Sequence, residues 1–196
     1  MSELADAGRS ILVAIDLQGK LVGMVHRSEM VLAATGRLLR LAELFEIPVV
    51  LTEQYPKGLG PTHPAILEQF EALSVPRRRI DKTLFGCCGD AGFDAALDEL
   101  RPGLPAGRRQ LVVAGIEAHV CVMQTVLAAR SRGEAVQLCW DAVSGRGEEH
   151  RAWALERMQQ AGAQVTNTES VGFEWARDKN HPRFRDLSEL IKQGHG

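Results

Sequence analysis

No apolar run in this sequence reaches the roughly 18 residues that a membrane-crossing helix needs. Residues 1–10 are polar and carry no hydrophobic signal region. Only four cysteines occur, too few for a disulfide framework, and none forms a C-x-x-C pair for zinc or redox chemistry. A reducing, cytoplasmic setting with free thiols is therefore expected. The chain also lacks a charge excess: its net charge is −2. Arg77, Arg78 and Arg79 are the one basic cluster, and three charges ahead of a strand suit a solvated edge or subunit contact better than a phosphate site. Neither a nucleic-acid nor a membrane partner is indicated. A dinucleotide cofactor is disfavoured because Gly115-Ile116-Glu117-Ala118 lacks the further glycines of a G-x-G-x-x-G turn. No cofactor is expected.

What is present is a repeating strand–helix alternation over 196 residues, read as one domain spanning 1–196. Short β-branched and apolar runs predict strands at 11–15, 49–52, 79–82, 110–114, 135–140 and 164–166. Apolar residues at helical spacing predict helices at 28–45, 64–73, 90–100, 122–130, 148–160 and 187–192, with Asp90 as a cap and Gly133 and Gly162 as stops. Such alternation implies a three-layer α/β fold. Its six-stranded parallel sheet has the order 3-2-1-4-5-6, with helices on both faces.

In that order the winding reverses between strands one and four, and the crevice at such a switch point is where ligands bind. Asp16 ends strand one and Cys121 follows strand four. Lys82 ends strand three, two strand spacings or roughly 10 Å from strand one, so its side chain must lean inward. Each residue has an ordinary alternative: a turn-capping carboxylate, a surface ammonium, a packing cysteine. Together they make chemical sense. A helix N-terminus and an ammonium favour a thiolate, and a carboxylate can accept and return a proton. The sulfur would then attack an amide or nitrile-like carbon, with backbone N–H groups of Cys121 and the preceding turn as oxyanion donors. Cys87 and Cys88 are read as two separate thiols.

Ala14-Ile15-Asp16-Leu17-Gln18, Thr52-Glu53-Gln54-Tyr55-Pro56, Asp81-Lys82-Thr83-Leu84-Phe85 and Gly115-Ile116-Glu117-Ala118-His119-Val120-Cys121-Val122 stand in a specific order. With Asp141-Ala142-Val143-Ser144 and Thr168-Glu169-Ser170, they resemble the isochorismatase-like cysteine hydrolases, in the isochorismatase domain-containing and YcaC-type branch. The resemblance covers residues 11–191. It implies a catalytic triad of Asp16, Lys82 and Cys121, with Cys121 as nucleophile, Asp16 as proton acceptor and Lys82 as the orienting cation. It also implies a non-proline cis peptide at Ile116–Glu117, turning the Glu117 N–H towards the oxyanion beside that of Cys121. Nicotinamidases of this fold carry an Asp-x-His metal motif where this chain has Glu53-Gln54-Tyr55, so no metal is expected. True isochorismatases lack the nucleophilic cysteine. The branch typically forms homo-oligomers.

By position, Gln18, Gln54, Tyr55, Phe85 and His119 could line the crevice against a small-molecule substrate; His119 could equally face away into a subunit contact. The leading expectation is a metal-independent hydrolase of a small C–N bond acting through a Cys121 thioester. The alternatives are a non-catalytic protein that keeps the fold and a redox-sensing thiol protein.

Overall fold

The structure is a computed structural model, describing residues 3–105 and 107–193. In chain order the elements are β1 (Ser10–Ile15), α1 (Gly19–Val22), α2 (Ser28–Leu44), β2 (Val49–Gln54), α3 (Pro56–Leu59) and α4 (Pro64–Glu71). Then come β3 (Arg77–Lys82), α5 (Ala91–Leu100), β4 (Gln110–Ile116), a π-helical turn (Ala118–Val122) and α6 (Met123–Ser131). The chain continues through β5 (Ala135–Ser144), α7 (Glu148–Gln160), β6 (Gln164–Thr166), α8 (Thr168–Ala176) and α9 (Phe184–Lys192). The six strands form one parallel sheet in the order β3-β2-β1-β4-β5-β6. No helix among the described residues is long and apolar enough to cross a membrane.

Strand alternation builds two cores. Leu12 and Ala14 of β1 join Leu38, Leu39, Val171, Trp175 and Leu187 on the face covered by α2, α8 and α9. Ile11, Val13 and Ile15 join Phe93, Leu97, Val126, Ala154 and Met158 on the face covered by α5, α6 and α7. Both faces of β1 and β4 are thus dry, which is why those strands read as unbroken apolar runs.

Several elements differ from the sequence-based expectation. Strand β5 runs on to Ser144, because its register with β4 jumps from Val113↔Leu138 to Gly115↔Val143. The intervening Trp140 and Asp141 interrupt the apolar pattern without ending the strand. Helix α8 was not expected; Asn167 caps it, its side chain accepting the Ser170 N–H at 2.8 Å. Helices α1 and α3 are single turns too short to show periodicity.

Gly115 marks the closest approach between the central strands. It has φ +130°, and a Cβ there would stand 2.6 Å from the Ile15 nitrogen of β1. Backbone cannot yield as a flexible side chain can. Gly115→Ala is expected to cost more than about 3 kcal/mol, read as a fall in the urea midpoint or loss of soluble protein. An alanine chain as stable as the parent would contradict this packing.

Candidate active site

Asp16 follows β1 with φ +52°, a left-handed conformation that Asp tolerates better than most residues. Strict alternation would send its side chain towards α2. The left-handed turn redirects it to the opposite face, where Thr52 and Lys82 point. There Asp16 Oδ1 accepts the Thr52 hydroxyl at 2.7 Å and Oδ2 accepts the Lys82 ammonium at 2.7 Å. Both side chains of the ion pair are fully buried. Lys82 Nζ also donates to Gln54 Oε1 at 2.8 Å, the Phe85 carbonyl at 2.9 Å and the Leu84 carbonyl at 3.1 Å. Four acceptors surround three protons, so the ammonium is satisfied and pins the turn after β3.

A second layer of amides holds these groups. Gln54 Nε2 donates to the Thr83 carbonyl at 2.9 Å, which aims its Oε1 at Lys82. Gln18 Oε1 accepts the Gln54 N–H at 2.8 Å, while Gln18 Nε2 donates to the carbonyls of Gln54 at 3.0 Å and Gly60 at 2.6 Å. Both glutamines are buried and committed to this frame. Glu53 accepts the N–H and the hydroxyl of Thr62, each at 2.7 Å. Tyr55, Leu84 and Phe85 are the exposed members, with Tyr55 55% and Phe85 56% accessible.

Cys121 lies in the π-helical turn rather than in the first turn of an α-helix. Single π turns are frequent at functional positions. Its thiol is buried, 6% accessible, in the core cluster beneath α5, α6 and α7. Burial pushes the thiol well above its ordinary range. The Asp16 charge and a hydrogen bond to Asp16 act in the same direction, against the Lys82 charge. This direction is opposite to the one that a helix N-terminus alone suggests. Thr125 ties this turn to the loop after β3: its Oγ1 donates to the Cys121 carbonyl at 2.7 Å and accepts the Cys87 N–H at 2.9 Å.

The Ile116–Glu117 peptide bond is cis. The Glu117 carboxylate accepts Arg146 Nε at 2.7 Å. His119 turns to α7 and stacks on His150, with ring centroids 4.6 Å apart. The structure thus joins Asp16 and Lys82 directly and sets Cys121 against Asp16. It puts Gln18 and Gln54 behind them, Tyr55 and Phe85 on the surface, and His119 against α7. Thr52 is the member that sequence reading passed over. Its parity with Gln54 on β2, between the strands that carry Asp16 and Lys82, was the available signal.

Lys82→Met strands a buried carboxylate and should cost about 3–5 kcal/mol by chemical denaturation, with part regained in Asp16→Asn/Lys82→Met. A single variant as stable as the parent would contradict the buried pair. Burial lowers the affinity of His119 for a proton, Glu117 raises it, and His150 and Arg146 lower it. Above the unfolded value of about 6.5 both states are neutral and stability is full. As pH falls below it, the unfolded chain protonates first and stability declines. Thermal melts at about pH 7.5 and about pH 5.5 should show a smaller acid loss in His119→Phe than in the parent; equal losses would contradict this.

The Isochorismatase domain family matches residues 10–170. Isochorismatase domain-containing protein 2 of Homo sapiens is 36% identical over 186 residues, covering 95% of this chain and 84% of that protein. Among solved structures, the MAR1 Ribonuclease from Caenorhabditis elegans superposes with a TM-score of 0.85 at 32% identity, covering 97% of this chain and 93% of that one. The YcaC gene product of Escherichia coli, described as an octameric hydrolase of unknown specificity, gives 0.80 at 26% identity, with 98% of each chain covered. With this sheet order and these matches, the chain belongs to the isochorismatase-like hydrolase family.

Proposed function

We propose that this chain is a cysteine hydrolase that cleaves a small amide-type C–N bond through a thioester at Cys121, without a metal ion. The observation that carries the reading is the fully buried Lys82–Asp16 pair set against the Cys121 thiol. Such a pair is expensive to bury and is retained where its charge is used. Asp16 takes the thiol proton as sulfur attacks the carbonyl carbon. The Glu117 and Cys121 backbone N–H groups receive the developing oxyanion. Collapse breaks the C–N bond, and the proton on Asp16 passes to the leaving nitrogen. Water, deprotonated by Asp16, then cleaves the thioester and the thiol regains its proton. Lys82, hydrogen-bonded to Oδ2, holds the Asp16 carboxylate in place through these steps.

Donor chemistry supports metal independence. Glu53 is spent on Thr62, Gln54 on Lys82 and Thr83, and neither an amide nor an exposed tyrosine is a good metal ligand. The substrate enters past Tyr55 and Phe85, whose exposed rings suit a small molecule or a second subunit, and the octameric E. coli protein supports a homo-oligomer. The ribonuclease name of the nematode protein is not extended to this chain. On the outer strand, Arg77 and Arg79 pair with Glu71, at 3.7 and 3.6 Å, and Arg78 pairs with Glu99 of α5. Four free thiols agree with a reducing, cytoplasmic setting.

The test is a panel of small amides and ureides incubated with the protein, quenched in acid and read by peptide mass spectrometry. An acyl adduct on Cys121 that turns over is expected, with loss of turnover by about 10³-fold or more in Cys121→Ala. Full turnover by the alanine variant would refute the reading.

A further inference from the structure

We propose that Thr52 is the positioning residue that sets Asp16 as the proton acceptor for Cys121. The inference rests on the function proposed above and deepens it. Asp16 follows β1 and Lys82 ends β3, strands that are not neighbours in the sheet; β2 lies between them. Register places Thr52 opposite Ile15 and Gln54 opposite Lys82. Two residues apart on one strand, Thr52 and Gln54 point to the same face. One therefore holds the carboxylate and the other holds the ammonium. The pair can meet across two strand spacings because β2 supplies a polar side chain to each partner.

Thr52 does more than fill space. It is fully buried, and its hydroxyl is committed to Asp16. Its backbone carbonyl accepts the Asp16 N–H at 3.1 Å while its hydroxyl donates to Oδ1 at 2.7 Å. The base is gripped at both ends. The Cys87 thiol donates to the Thr52 hydroxyl at 3.9 Å, and the Cys87 N–H leads through Thr125 to the Cys121 carbonyl. Thr52 is thus where the base is linked, through buried groups, to the turn that carries the nucleophile. With Thr52 on Oδ1 and Lys82 on Oδ2, the remaining lone pairs of Asp16 are those left for the thiol proton. Removing the hydroxyl leaves Oδ1 without this donor, and a carboxylate that loses a hydrogen bond holds a proton more tightly.

Iodoacetamide is the probe, so no substrate need be known. The sulfur displaces iodide from its CH₂ carbon, forming the C–S bond, and the thiol proton passes to Asp16. The pH dependence of Cys121 alkylation is followed by peptide mass spectrometry, with Cys87, Cys88 and Cys139 as internal references. The acid-side midpoint should rise by about one pH unit in Thr52→Val and return to the parent value in Thr52→Ser. A merely structural role would lower the melting temperature and leave that midpoint in place. Should the valine chain not fold, Thr52→Ala set against Thr52→Ser asks the same question. Asp16→Asn separates the two levels. If it alters Cys121 alkylation but Thr52→Val leaves the midpoint unmoved, the role of Thr52 is overturned and the function stands. If Asp16→Asn alkylates as the parent does, Asp16 is not the base and both fall.

Discussion

A single buried ion pair, Lys82 to Asp16 at 2.7 Å, sets the terms for the rest of this structure. Removing two charges from water costs several kcal/mol per ion, and attraction alone seldom returns it. The fold must therefore supply further hydrogen bonds, and it does so almost wholly from backbone and neutral side chains. Lys82 takes two carbonyls and one amide besides the carboxylate. Asp16 takes a hydroxyl besides the ammonium. This bracing adds one charge of each sign and no net charge to the core, and it explains why the segments after β1, β2 and β3 are locked to one another.

The Cys121 thiol is governed by its burial and by the same pair. In an apolar core a sulfur gains nothing from ionising ahead of need, and the neighbouring carboxylate raises the cost further. In the proposed reaction Asp16 is instead the acceptor for the proton at the moment of attack. Selectivity follows as well. Cys87 is buried nearby and its thiol is also pushed up, chiefly by burial, to about 11. With Cys87 hydrogen-bonded towards Thr52 and Cys121 towards Asp16, only the latter has the proposed base beside it.

Much of this was legible in the sequence because the signals are local. Dry β-branched runs marked the central strands, and their alternation with helices implied the sheet order that is observed. Asp16, Lys82 and Cys121 were locatable because each follows a strand end. The roles of Gln18 and Gln54 were not legible. A polar side chain at a strand end looks the same whether it faces a ligand or a neighbouring strand, and only the register between β2 and β3 shows Gln54 opposite Lys82. Thr52 was hidden for a related reason: threonine is a common strand former, so its hydroxyl carries no signal until a partner is known. The redirected side chain of Asp16 depends on one left-handed dihedral, which no periodicity reports.

Strand β2 shows how the parts depend on one another. Its apolar residues, Val49, Val50 and Leu51, pack into the cores on the two faces of the sheet. Its last three positions are polar, and each is used: Thr52 for the Asp16 carboxylate, Glu53 for the loop at Thr62, Gln54 for the Lys82 ammonium. A carboxylate and an amide so committed cannot also ligate an ion without releasing what they hold. The strand end is thereby committed to holding Asp16, the Thr62 loop and Lys82 in one frame.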